Sequence, residues 1–112
     1  MTEKIGEGKF TRETVGDVPF LVTTFPLGKD ENVAEIVADA RVATEEWQKE
    51  ATPAGRALEV HFYENSLSGK TPDCESGKEV FMYVRLASED IPDELLREAE
   101  TLVEELAVVL SR

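Results

Sequence analysis

Residues 58–63 and 79–86 change polarity or size class at every step, and this alternation constrains the fold more than any other feature of the chain. Leu58, Val60 and Phe62 share one parity, and Glu59, His61 and Tyr63 share the other. In the second segment Val80, Met82, Val84 and Leu86 are set against Glu79, Phe81, Tyr83 and Arg85. A period of two belongs to a pleated strand, whose successive side chains point to opposite faces. Both segments are therefore expected to be strands with their aliphatic side on a core. The other side carries His61, Tyr63, Phe81 and Tyr83, which is too much aromatic surface for a face left in water. Something must cover it.

The remaining elements follow from local patterns. Residues 20–25 are rich in β-branched and aromatic side chains and form a strand, bracketed by Pro19 and Pro26, as befits strand ends or an edge. Residues 8–15 read as a weak or edge strand, joined to it through a turn at Gly16 and Asp17. Asn32 and Glu35 have the spacing of a capping box. The helix that follows sets Val33, Ile36, Val37, Ala40, Ala43, Trp47 and Ala51 on one side and should end before Pro53, with Gly55 in a loop. A last helix opens with Asp90 as N-cap and Pro92 in its first turn, and Leu95, Ala99, Leu102, Leu106 and Val109 form its apolar stripe. The polar stretch 64–78 is long for a hairpin connection, so it is either disordered or functional. The fold expected is α+β: a single domain over residues 1–112, a two-layer sandwich with an antiparallel sheet, chain order ββα-ββα, and both helices on one face.

Charge narrows the partners. The 112-residue chain has a net charge of −12. Residues 30–52 hold seven acids and two bases, and residues 88–112 hold eight acids and two bases, so eleven of the net negative charges fall on the two helical segments. Repulsion from phosphates argues against direct binding of nucleic acid or of an anionic membrane. No apolar run is long enough to span a bilayer, and residues 1–6 lack the character of an export signal. A cytoplasmic location is expected. The acidic helices have three readings: a solvated face, a surface for a basic protein, or a mimic of nucleic-acid phosphates.

No catalytic or metal-binding motif emerges. Ser68-Gly69-Lys70-Thr71 matches the end of a phosphate-binding loop, but Glu64 stands where that loop needs glycine and Pro72 blocks the helix that should follow. His61 and Cys74 are the only histidine and the only cysteine, so neither a triad nor a histidine-based metal site has a basis. Cys74, between Asp73 and Glu75, reads as an incidental loop thiol. Glu59, Glu79, His61 and Arg85 are expected to form a charged patch on the outer sheet face. The aromatic set there has two readings: a dimer formed by two such faces, or a cleft for a flat apolar ligand lined by Tyr63, Phe81 and Tyr83 with Glu59 as its carboxylate.

From Pro19 to Leu86 the layout resembles one module of the gyrase-inhibitor-like effector-binding family, which is related to the SOUL haem-binding proteins. Pro19 opens a strand, Gly28 precedes the helix, Trp47 stands near its end, and Pro53-Ala54-Gly55 follows. Glu59-Val60-His61-Phe62-Tyr63 and a last strand through Val84-Arg85-Leu86 complete the match. His61 stands where the family has tyrosine, and one module is present rather than two. The resemblance implies an apolar, often cationic ligand held between two modules, with Glu59 as the acid and Trp47 or Tyr63 as walls.

Together these features predict a non-enzymatic binding domain without cofactor or metal. It would self-associate, and its ligand or interface residues would be Glu59, His61, Tyr63, Phe81, Tyr83 and Trp47. The ligand would be a small apolar or cationic molecule, or a partner protein. An acidic inhibitor or adaptor, binding a basic protein through the two helices, is the other reading.

Overall fold

The computed structural model describes residues 4–6, 8–71 and 74–111. The first three residues, on which the export-signal reading partly rests, and Pro72 of the phosphate-loop argument lie outside that set.

Two residues shape the first hairpin. Gly16 (φ 54°) and Asp17 (φ 68°) both occupy the left-handed region, the geometry of a type I′ turn, whose twist matches the strands it joins. Strands β2 (Phe10–Val15) and β3 (Val18–Pro26) leave this turn antiparallel, with Val15 opposite Val18 and Thr11 opposite Val22. A short strand β1 (Lys4–Ile5) pairs with the far side of β2. After helices α1 (Val33–Glu50) and α2 (Pro53–Arg56) come β4 (Val60–Tyr63) and β5 (Glu79–Arg85), and helix α3 (Asp93–Leu110) closes the order. β5 lies between β3 and β4, giving one antiparallel sheet of order β1-β2-β3-β5-β4.

The predicted α+β architecture is present, with both long helices on one face of the sheet, but the chain order is βββαα-ββα rather than ββα-ββα, because the short strand β1 and the short helix α2 are added to the first half. Their core joins Phe10, Leu21 and Phe25 of the first hairpin to Phe62, Val80, Met82 and Val84. Val37 and Ala40 of α1 and Ala99, Leu102 and Leu106 of α3 pack onto them. Leu102 and Leu106 have no exposed surface, and burying each contributes about 1.5–3 kcal/mol. The alternation in β4 and β5 holds: Phe62, Val80, Met82 and Val84 face the helices, and Tyr63, Phe81 and Tyr83 face away.

The two-residue β1 covers only Phe10 and Thr11, so most of β2 is an edge as expected, and the prolines of the interior strand β3 stand near its ends, at its second and last positions. Two local expectations are corrected. The stretch around Gly55 is the short helix α2, capped by Thr52, whose Oγ1 accepts the Gly55 N–H at 3.3 Å. Helix α3 takes Pro92 rather than Asp90 as its N-cap. Asp93 and Glu94 supply the negative charge that its first turn favours. At α1 the predicted cap is present, Asn32 Oδ1 accepting the Glu35 N–H at 3.3 Å.

Candidate functional site

The outer sheet face carries a small second cluster, in which Val22, Phe81 and Tyr83 are buried and Val15, Phe20 and Tyr63 pack around them. The register explains the set. Val22 lies opposite Tyr83, and Thr24 opposite Phe81, while His61 faces Tyr83 and Tyr63 faces Phe81 across the other ladder. Phe20 and Tyr63 each meet the Tyr83 ring edge to face, both with centroids 5.5 Å apart, a favoured aromatic geometry.

The cover for this cluster comes from the chain itself. Residues 64–71 cross the outer face as a strap. The Leu67 N–H donates to the Tyr83 hydroxyl at 2.9 Å. Ser68 Oγ and Lys70 Nζ donate to the two carboxylate oxygens of Glu13, at 2.8 and 3.3 Å. Gly69 turns at φ 78°, and its N–H reaches the Ser66 carbonyl at 3.2 Å. The far end of the connection is also tied down. Ser76 Oγ donates to the Leu27 carbonyl at 2.6 Å, and Lys78 Nζ donates to the carbonyls of Lys29 and Glu31. Cys74 is half-buried and donates its thiol to the Lys78 carbonyl at 3.1 Å.

The six predicted site residues therefore part company. Phe81 (5% exposed) and Tyr83 (0%) lie under the strap instead of forming an open surface. Tyr63 is half-buried and His61 exposed, stacked on each other along β4 with centroids 6.3 Å apart. Glu59 meets Arg85 in an exposed ion pair at 3.4 Å, where a carboxylate contributes little. Trp47 belongs to the helical layer, on the other side of the sheet. The expected patch of Glu59, His61, Arg85 and Glu79 is divided as well. Arg85 lies opposite Phe20 and Glu79 opposite Pro26, at the two ends of β5, about 20 Å apart at strand rise.

A cleft remains beside the covered aromatics. It has a volume of about 290 Å³ and lies between the strap and the outer surface of β2, β3 and β5. Val22 and Phe81 are its two apolar side chains, four threonines bring hydroxyls, Thr11, Thr24 and Thr71 among them, and Lys9, Glu13, Lys70 and Glu79 bring charge. Glu79 was not among the predicted site residues. It is only 8% exposed. The outward parity of Glu79 was legible, but its burial depends on how the 64–78 segment folds.

A second groove, about 460 Å³, runs between α1 and the free edge of β4. Arg41 Nη2 donates to the Phe62 carbonyl at 3.1 Å and Gln48 Nε2 to the Leu58 carbonyl at 2.9 Å. These side chains occupy carbonyls that an exposed strand edge would offer to another chain. Among the described residues no group of three histidine, cysteine, aspartate or glutamate side chains is placed to hold a metal ion, and no helix is long and apolar enough to cross a membrane.

Comparison with protein-family models, with curated proteins and with solved structures finds no match for this chain.

Proposed function

We propose that this chain is a binding domain without a catalytic centre, and that its ligand is a small molecule lying in the cleft between the strap and the outer sheet face. The observation that carries this reading is the cleft itself. An apolar floor at Val22 and Phe81 continues the buried aromatic cluster, and hydroxyls and a few charges stand around it. The cleft is more polar than most small-molecule sites, with two apolar side chains among threonines and charged groups, and its volume of about 290 Å³ suits only a small ligand carrying polar groups of its own. The strap also meets the need that a second copy would have met, so a ligand rather than a face-to-face dimer is the better occupant. A thermal-shift screen of small amphipathic molecules tests the reading, because a ligand that binds only the folded state raises the melting temperature by mass action. Hits should disappear in Thr24→Phe, which fills the cleft. Hits that survive this substitution would contradict the assignment.

One observation favours a second reading, in which the acidic helices hold a basic protein. A groove of about 480 Å³ between α1 and α3 is lined by Trp47, Ala43, Ala51 and Val109 together with Glu46, Glu50 and Glu105. An indole among carboxylates suits a lysine or arginine side chain. Such binding would weaken steeply with salt, and binding insensitive to salt would contradict it.

A further inference from the structure

Glu79 is the charged group of the cleft that the protein leaves without a counterpart. It starts β5, opposite Pro26, and shares the outward parity of Phe81 and Tyr83. Although 92% buried, its carboxylate has no hydrogen-bond or ion-pair partner among the described residues. Nor is it fully shut away, since Glu79 keeps 8% of its surface exposed. Glu79 is one of the residues that line the cleft. The other charges there are already matched, Glu13 with Ser68 and Lys70 and Lys9 with Glu104. A buried carboxylate without donors is costly, and a donor arriving in the cleft removes that cost.

We infer that the ligand of this cleft is a small amine in its ammonium form, its charged head on Glu79 and its apolar body on Val22 and Phe81. This rests on the small-molecule reading above and specifies the ligand. An ammonium supplies the N–H donors that Glu79 lacks, and Thr11, Thr24 and Thr71 offer hydroxyl oxygens to its remaining hydrogens. The volume equals that of about ten waters at roughly 30 Å³ each, which admits one ring with a short amine-bearing arm and little more. The field of a chain with net charge −12 favours a cation and opposes an anion.

Three probes of nearly equal shape test the inference: 2-phenylethylamine, the neutral 2-phenylethanol and the anionic 3-phenylpropionate, each titrated into the full chain by NMR at neutral pH. The amine is expected to bind about tenfold or more tightly than the alcohol, as one charge-assisted hydrogen bond implies, and the carboxylate most weakly. In Glu79→Gln the preference for the amine over the alcohol should disappear. Equal affinities of amine and alcohol in the unmodified chain, or an amine preference that survives Glu79→Gln, would overturn the role of Glu79 while leaving the cleft as a site. Absence of shifts around Val22 and Phe81 with all three probes would overturn the cleft reading and the inference with it. The comparison within the unmodified chain does not depend on the variant folding.

Discussion

The hydroxyl of Tyr83 accepts the backbone N–H of Leu67 at 2.9 Å, joining the buried outer face of the sheet to the middle of the strap that covers it. One phenol thereby does two things. Its ring fills the outer cluster, and its polar end holds the strap at a fixed height above the cleft. Tyr83→Phe keeps the ring and removes the acceptor. A loss of about 1 kcal/mol in urea unfolding is expected, with faster hydrogen exchange at the Leu67 amide and unchanged exchange in α1 and α3. Uniformly faster exchange would show that the bond supports the whole fold rather than the strap.

Glu13 anchors the strap from the other side. Its side chain is 10% exposed and receives both Ser68 and Lys70. Glu13→Ala removes both contacts at once, so residues 64–71 should be cleaved earlier in limited proteolysis while the remainder stays resistant. The cost in global stability should be about 1–2 kcal/mol, because a partly buried pair lies between exposed and fully buried cases. Unchanged cleavage would mean that packing on Tyr83 suffices to hold the strap.

Thr44 offers a gain. Its Oγ1 is buried in α1 without a partner among the described residues, and a buried hydroxyl left without a bond costs about 1–3 kcal/mol. Thr44→Val replaces the hydroxyl with a methyl of similar size, and denaturant unfolding should show equal or higher stability, by up to about 1 kcal/mol. A marked loss would reveal a bond that Thr44 makes through water.

Gly55 is where α2 meets its neighbours most closely. A Cβ there would stand 2.8 Å from Ala51 Cβ and 3.1 Å from both Trp47 Cη2 and Glu98 Oε2. Gly55→Ala should therefore destabilise by about 1–3 kcal/mol, the range for overpacking, and should shift the Trp47 fluorescence. Without either change, α2 would have to sit farther from α1 than it does here.

The two-layer fold was legible because its signals are local and repeated. The alternation from Val80 to Arg85 and the stripe from Leu95 to Leu106 each state a period and a buried side. Strand order was not legible, since nothing in residues 79–85 says that β5 pairs with β3 as well as with β4. The candidate site was half legible. The outward aromatics could be read from parity, and so could the need for a cover. That the cover is residues 64–71 depends on Leu67 reaching Tyr83 and on Ser68 and Lys70 reaching Glu13, at separations of 16, 55 and 57 residues. No periodicity encodes such contacts. The burial of Glu79 is hidden from the sequence for the same reason, and Trp47 lies with the helical layer, on the side of the sheet away from the aromatics.

The most direct test is to find where a bound amine lies. Intermolecular nuclear Overhauser effects from the ring protons of 2-phenylethylamine should reach the Val22 methyls and the Phe81 ring, with effects from its methylene protons to Thr24. Effects confined to Trp47 between the acidic helices, or to His61 on the open edge, would contradict the account and move the binding surface elsewhere.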